Sequence, residues 1–123
     1  MLVEDLNANG GLLGKQVELI CYDTKGDAQE AVNVAKRLCA QDQVCAIIGP
    51  NASGQCIAIQ SVLDQYKISD MSTVATNEKV TMQDGQLKEY NFRVCFIDPV
   101  QGRIAASFIA DYLGYKKAAI LYV

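Results

Sequence analysis

The sequence predicts a doubly wound α/β fold, in which helices pack on both faces of a parallel β-sheet. Three apolar runs rich in β-branched residues, at 17–22, 44–48 and 118–123, have the continuous hydrophobicity of strands that are buried on both faces. Two weaker strand candidates lie at 68–72 and 92–96. Helical patterns separate these runs, and the alternation of strand and helix implies right-handed crossovers between parallel strands.

The first helix between two predicted strands begins after Asp27. Asp27 and Glu30 have the spacing of a capping box, in which side chains satisfy the free N–H groups at the start of a helix. The apolar residues that follow repeat at helical spacing, so we expect their face to pack on the sheet. These residues are Ala31, Val34, Ala35, Leu38 and Cys39.

A second amphipathic helix is predicted after Gly54. Its apolar residues repeat at positions i, i+3, i+4 and i+7, which is the period of one helical face. They are Ile59, Val62, Leu63 and Tyr66. Further along, the polar residues 83–86 predict a surface turn.

A third helix is predicted at residues 99–113. Asp98 is its expected N-cap, Pro99 occupies the first helical position and Gln101 completes a capping box. We expect its inner stripe to be buried, and that stripe consists of Ile104, Ala105, Phe108, Ile109 and Tyr112.

Composition excludes several classes of protein. The 123 residues fit one ordinary domain, and the net charge of −3 offers no cationic surface for nucleic acid or anionic lipid. No apolar run approaches the roughly 18–20 residues of a membrane span, so direct membrane insertion is not expected. The five cysteines form no CxxC pair and the chain has no histidine, so we interpret them as small core residues and expect no metal site. They are Cys21, Cys39, Cys45, Cys56 and Cys95.

Both ends of the sequence suggest a piece of a longer chain. Residues 2–8 have the pattern of the end of a helix, closed by Gly10 and Gly11, but no strand precedes them. The last residue lies within an apolar run.

Three loops after the predicted strands are small and polar, and ligands of open parallel sheets bind beyond the carboxyl ends of the strands. Residues 49–54 precede a helix start, where free N–H groups suit a carboxylate. A plain helix cap by Asn51 or Ser53 explains this segment equally well.

The other two loops offer acceptors for an ammonium group. In residues 72–77 the Val74 carbonyl and the Thr76 hydroxyl can accept hydrogen bonds, although a simple polar turn is the alternative. Asp98 can bind an ammonium through its carboxylate, and a plain N-cap is again the alternative. Together the three loops have the groups that an α-amino acid backbone requires.

Motifs for catalysis or a cofactor are not found in the sequence. It contains neither GxSxG nor GxGxxG, and a phosphate-binding loop would need Lys at Gln55 and Ser or Thr at Cys56. We therefore expect a binding protein without a cofactor rather than an enzyme. Two alternatives stay open: a small Rossmann-like nucleotide-dependent enzyme, and an interaction domain that self-associates.

A series of motifs in a fixed order covers nearly the whole chain. The sequence resembles the leucine/isoleucine/valine-type periplasmic binding proteins, which are type I solute-binding proteins of branched-chain amino acid ABC transporters. The motifs are VEDLNANGGLLGK at 3–15, VEL at 17–19, YDT at 22–24, QEAV at 29–32, IIGP at 47–50, STVATN at 72–77 and FRV at 92–94, followed by Asp98, Gln101 and Gly102.

The resemblance implies a three-layer, Rossmann-like lobe that lacks its first central strand. Residues 1–97 would form most of the N-terminal ligand-binding lobe. Residues 98–123 would be the first helix and strand of the second lobe, packed on the first. The gap left by the absent strand would be filled by residues 118–123 folding back, or by exchange of segments in a strand-swapped homodimer.

The resemblance also implies which residues bind ligand. Ser53 and the backbone around Val74 and Ala75 match the loops that bind carboxylate and amine, while Thr76 and Asp98 match the ammonium partners. The parent protein would be periplasmic or extracellular and would dock on an ABC transporter permease. This chain shows no signal peptide and would be cytoplasmic as written, and with half of a site we expect it to bind amino acids weakly or not at all.

Overall fold

The computed structural model describes residues 2–121, and a parallel three-stranded sheet lies at its centre. The sheet has the order β1-β2-β5, and a small antiparallel hairpin pairs β3 with β4. The strands are β1 (Ala46–Ile48), β2 (Ser69–Ser72), β3 (Met82–Gln83), β4 (Gln86–Leu87) and β5 (Asn91–Arg93). The predicted strands at 44–48 and 68–72 are therefore confirmed with shorter bounds, whereas the strand predicted at 92–96 begins one residue earlier and ends at Arg93.

Helices lie before, between and after these strands. They are α1 (Leu2–Ala8), α2 (Ala28–Ala40), α3 (Ser53–Ala58), α4 (Gln60–Tyr66) and α5 (Asp98–Ser107), with a 3-10 turn at Glu78–Val80 and a wider π-type turn at Phe108–Tyr112. The predicted second helix is thus divided in two at Ile59, but Ile59, Val62 and Leu63 are buried as expected.

The capping box predicted for α2 forms. Asp27 is the N-cap and its Oδ1 accepts a hydrogen bond of 2.8 Å from the Glu30 N–H. Ala31, Ala35 and Cys39 are buried against residues of β1, α3 and α4, which makes this cluster the main core. Full burial of a side chain the size of Leu63 stabilises the fold by about 1.5–3 kcal/mol.

The two faces of the sheet differ in burial. Ile47, Asp70 and Asn91 are buried on the face that carries α2, α3 and α4. Side chains of alternate residues point to the opposite face, as the period of a strand requires. There Ile48 and Phe92 are 76% and 46% exposed.

The prediction of a strand at residues 17–22 is wrong. This segment has no regular secondary structure, and it pairs with no strand among the described residues. The Asn7 side chain takes the place of a neighbouring strand, since Nδ2 donates to the Val17 carbonyl and Oδ1 accepts from the Val17 N–H, each at 2.8 Å. An apolar, β-branched sequence forms a strand only when a second strand supplies the remaining hydrogen bonds.

The helix predicted at 99–113 forms as α5 and the π-type turn, but its details differ from the prediction. Ile97 is the N-cap, without a side-chain bond, and Asp98 is the first helical residue, so the capping box of Asp98 and Gln101 is wrong. The expected burial is also wrong, because no residue of α5 is buried. The exposed stripe includes Ile104 and Phe108.

The predicted strand at 118–123 lies partly outside the described residues. Residues 118–121 are exposed and belong to no strand, so they do not fill a position in the sheet. The division of the chain at residue 97 into two lobes stays a prediction.

Two predicted turns are confirmed. α1 ends at Ala8 and the chain turns through Gly11, whose N–H donates to the Leu6 carbonyl at 2.9 Å. A Cβ at Gly11 would lie 1.9 Å from the Lys15 carbonyl oxygen, so this close approach requires glycine. The turn at 83–86 joins β3 to β4.

The interpretation of the cysteines as core residues is correct for two of them and wrong for two. Cys39 and Cys56 are buried, Cys95 is half-buried, and Cys21 and Cys45 are exposed. Cys21 lies in the segment at 17–22, and Cys45 lies directly before β1. Among the described residues, no other element covers either thiol. Among residues 2–121, no helix has the length and apolar character needed to cross a membrane.

Candidate functional site

The first two polar loops are joined by hydrogen bonds. The Thr73 hydroxyl donates to Asn51 Oδ1 at 3.2 Å, and the Asn77 N–H donates to Ser53 Oγ at 3.3 Å. Both contacts lie beyond the carboxyl ends of β1 and β2, which are parallel neighbours. The loops at 49–54 and 72–77 therefore form one continuous rim.

The third loop joins the same rim. The Asp98 N–H donates to the Thr76 carbonyl at 3.1 Å, which places the start of α5 directly beside the second loop. The Asp98 side chain is exposed and Thr76 is half-buried. The predicted ligand-binding residues Ser53, Thr76 and Asp98 thus lie on connected segments at one end of the sheet.

The first loop turns sharply after β1. Gly49 has a φ of 101°, in the region that favours glycine, and the Gly49–Pro50 peptide is cis. The N-cap of α3 is Ala52, which has no side-chain cap bond, and Ser53 is the first helical residue. The alternative in which Asn51 or Ser53 caps this helix is therefore wrong.

A cleft of about 410 Å³ opens on the other side of the first loop. Residues 22–24 and Gly26 line one wall, and residues 48–52 and Gln55 line the other. The buried Gln55 ties the two walls together, because its Nε2 donates to Thr24 Oγ1 at 3.2 Å and to the Asp27 carbonyl at 3.3 Å. Sequence reasoning missed this contact, since a Gln on the first turn of a helix carries no distinctive pattern.

Ala75 anchors the second loop. Its side chain is 2% exposed and packs with Cys56 and Val80. Its N–H donates to Ser72 Oγ at 3.2 Å, and its carbonyl accepts from Arg93 Nη1 and Cys95 Sγ. Both polar groups of Ala75 are thus used inside the protein.

The neighbouring Val74 is 58% exposed at the rim. Its exposure leaves this part of the loop accessible from solvent. Thr76, on the other side of Ala75, is half-buried.

Arg93 is the residue that sequence reasoning missed most clearly. It ends β5, and its guanidinium donates hydrogen bonds to four residues of the segment that follows β2. The only sequence signal was its place at the end of a predicted strand, next to the two candidate loops.

One buried carboxyl group lies away from the rim. Asp70 is fully buried, and among the described residues neither of its side-chain oxygens has a hydrogen-bond partner. Burial raises the pKa of Asp70 from 3.8 to about 7. Burial also raises the pKa of the Cys56 thiol, which lowers its thiolate fraction and its reactivity as a nucleophile.

Side-chain chemistry at the rim is that of hydrogen bonding to a polar ligand. Within residues 2–121, no three His, Cys, Asp or Glu side chains are grouped so that they could hold a metal ion. Among the described residues of the three loops, the polar groups are hydroxyls, side-chain amides, backbone N–H groups and carbonyls, and the Asp98 carboxylate.

All 123 residues match the sequence model of a family described as periplasmic binding protein. The chain belongs to the periplasmic binding protein family. The family expected from the sequence motifs is thereby confirmed, and it is a family of solute-binding proteins rather than enzymes.

Relatives of this periplasmic binding protein include two from Pseudomonas aeruginosa. An amino acid binding protein is 34% identical over 119 residues, which are 97% of this chain and 31% of that protein. A leucine-, isoleucine-, valine-, threonine-, and alanine-binding protein is 29% identical over 122 residues, which are 99% of this chain and 32% of that protein. The chain therefore spans about a third of the length of the relatives it matches.

Solved structures of periplasmic binding proteins share the fold. The substrate-binding protein LivJ of Streptococcus pneumoniae, in complex with isoleucine, matches with a TM-score of 0.81 and 33% identity over 91% of this chain and 31% of that chain. The leucine-binding protein LivK of Thermotoga maritima matches with a TM-score of 0.77 and 34% identity, at the same coverage. The predicted α/β class, a lobe of a type I periplasmic binding protein, is confirmed.

Proposed function

We propose that this periplasmic binding protein supplies one side of an amino-acid site for an ABC transporter. The ligand would be a branched-chain or similar amino acid, held by its α-carboxylate and α-ammonium groups. The observation that carries the proposal is the hydrogen-bonded rim that joins Ser53, Thr76 and Asp98. Relatives that bind leucine, isoleucine and valine support the class of ligand.

Ser53 would donate to the carboxylate. Its Oγ already accepts from the Asn77 N–H at 3.3 Å, so the hydroxyl hydrogen can turn toward a ligand. Such a charge-assisted hydrogen bond is shorter and stronger than one between neutral groups.

The ammonium group would contact Thr76, Asp98 and Val74. The Asp98 carboxylate would supply the opposite charge, and the Thr76 hydroxyl and the Val74 carbonyl would accept hydrogen bonds. Ala75 would shape the loop, since both of its backbone polar groups bond within the protein.

Transport would place the parent protein in the periplasm or outside the cell, docked on a permease, with no catalytic step and no cofactor. The exposed rim of this chain contacts a ligand from one side only. Small ligands are usually held with about 70–90% of their surface buried, so we expect this chain to bind amino acids with a dissociation constant on the order of 1 mM.

The test is a titration of the 123-residue chain with L-leucine, followed by backbone amide NMR shifts. We expect shifts at Ser53, Thr76 and Asp98, and much smaller shifts with leucinamide or 4-methylpentanoate, which each lack one of the two charges. Equal shifts with all three compounds, or shifts confined to other parts of the chain, would contradict the proposal. A sub-micromolar dissociation constant would contradict the one-sided site.

Self-association is a second candidate function, favoured by one observation. β1 is the outer strand of the sheet, and none of the described residues pairs with its free edge. Such an edge accepts a strand from another chain, as in a strand-swapped homodimer. Sedimentation over a 100-fold range of concentration would show a dimer, and a constant monomer mass would exclude it.

A further inference from the structure

The guanidinium of Arg93 uses all of its donors on one segment of chain. Nη1 donates to the carbonyls of Ala75 at 3.1 Å and Asn77 at 2.9 Å. Nη2 donates to the Glu78 carbonyl at 3.1 Å and to Thr81 Oγ1 at 2.6 Å, and Nε donates to the same hydroxyl at 3.2 Å. Five bonds match the five N–H donors of an arginine side chain.

These bonds fix the direction of the peptide group between Ala75 and Thr76. In a trans peptide the carbonyl and the N–H point to opposite sides. Because the Ala75 carbonyl points to Arg93, the Thr76 N–H points away from it. The positive charge on the carbonyl side also polarises this peptide, which strengthens its N–H as a donor.

The next peptide group is fixed in the same way from the other end. The Asn77 N–H donates to Ser53 Oγ, so the Thr76 carbonyl points in the opposite direction, where it accepts from the Asp98 N–H. Arg93 then holds the Asn77 carbonyl. The two peptide groups on either side of Thr76 are therefore fixed, and Arg93 contacts the carbonyls of the two neighbouring residues, Ala75 and Asn77.

We propose that Arg93 is the positioning residue of the amino-acid site, which holds the loop at 75–78 in the conformation that presents the Thr76 N–H to a ligand. This role rests on the proposed function, but the ordering of the loop does not. Arg93 itself faces the back of the loop and would not touch the ligand.

Only an arginine fits this role. Its planar fork reaches three carbonyls and one hydroxyl at once, whereas the ammonium of lysine is a single point of charge on a flexible stem. Arg93→Lys therefore keeps the charge but loses most of the bonds, and Arg93→Gln loses the charge as well.

Amide hydrogen exchange of the 123-residue chain tests the ordering of the loop without any ligand. We expect Arg93→Lys and Arg93→Gln to speed exchange at Ala75, Asn77 and Lys79 at least tenfold. The Asp70 N–H, which donates to the Tyr90 carbonyl at 2.8 Å within the sheet, should exchange as in the unmodified chain. The exposed Arg103 of α5 offers a matched control, Arg103→Gln. This variant should leave amide exchange unchanged both at the loop and at Asp70.

Two exchange results would overturn the proposal. One is unchanged exchange at the three loop amides in both Arg93 variants. The other is faster exchange by the same factor at the loop and at Asp70, because that result describes a general loss of stability rather than a local role.

Titration with L-leucine and leucinamide tests the link to binding. We expect Arg93→Lys to weaken leucine binding at least fivefold and leucinamide binding less than twofold, since the carboxylate is the group that the Thr76 N–H would meet. Equal weakening of both compounds would contradict a role in orienting that N–H. If the unmodified chain binds no leucine, the proposed function fails, while hydrogen exchange still decides whether Arg93 orders the loop.

Discussion

Asp70 on β2 and Asn91 on β5 are neighbours in register on the buried face of the sheet, and within the described residues neither side chain has a hydrogen-bond partner. A buried polar group without a partner destabilises a fold by about 1–3 kcal/mol. The pair is therefore a weak point in the interior, whereas the buried Gln55 and Ser72 are hydrogen-bonded.

Stability should fall as the pH rises from about 4 to about 7 because of Asp70. Its pKa is raised to about 7 by burial, so in this window the unfolded chain loses the proton while the folded chain keeps it. The difference from the ordinary pKa of 3.8 corresponds to a loss of about 4 kcal/mol that is complete above pH 7. Urea unfolding at pH 4, 5.5, 7 and 8.5 measures this dependence.

Asp70→Asn should remove most of that pH dependence and raise stability above pH 7, since the amide has no charge to bury. Asp84→Asn, in the exposed turn between β3 and β4, is the matched control and should leave the dependence unchanged. A slope that persists in Asp70→Asn would assign the effect to another group.

Asn7→Leu should destabilise the chain by about 1–3 kcal/mol, because the Val17 N–H and carbonyl would both lose their partner. Thermal unfolding gives the magnitude, and amide exchange at Val17 shows whether the loss is local. Asn33→Leu, an exposed position on α2, serves as the control. Equal stability of Asn7→Leu and the unmodified chain would mean that residues 17–22 are held by other contacts.

Asp27→Ala should cost about 1 kcal/mol by removing the N-cap of α2, whose bond to the Glu30 N–H is 2.8 Å long. Asp27→Ser should recover most of this loss, since a serine oxygen can accept the same bond. Chemical unfolding of the three proteins measures both effects. No difference between the alanine and serine variants would argue against the cap.

Asp98→Asn should weaken the binding of L-leucine about tenfold and leave 4-methylpentanoate, which has no ammonium group, unaffected. The reason is the loss of the Asp98 carboxylate, which would supply the charge opposite to the ammonium. NMR titration of both compounds is the measurement, with Asp111→Asn in the following π-type turn as the control. Weaker binding of both compounds would indicate that Asp98 acts on the loop and not on the ammonium.

Local patterns were the part of the fold that sequence could predict. The start of α2 follows from Asp27 and Glu30, whose hydrogen bond depends on only four residues of chain. The same holds for the turn at 83–86. Continuous hydrophobicity at 44–48 also predicted β1. This prediction is confirmed because β2 supplies a neighbouring strand that completes the hydrogen bonds of β1.

Patterns that depend on distant partners could not be resolved from sequence. Residues 17–22 have the composition of a strand, but a strand also needs a neighbour to complete its hydrogen bonds. The stripe of α5 has helical spacing, yet spacing does not specify the surface that covers it. Arg93 was missed for a related reason, since its contacts with residues 75–81 arise only when β5 pairs with β2.

The exposure of Cys21 and Cys45 makes a labelling experiment straightforward. A maleimide dye reaches these two thiols before it reaches the buried Cys39 and Cys56. One dye would then report from the segment at 17–22 and the other from the residue directly before β1. Energy transfer between a donor dye and an acceptor dye at these two positions would measure the distance between residues 21 and 45 in dilute solution.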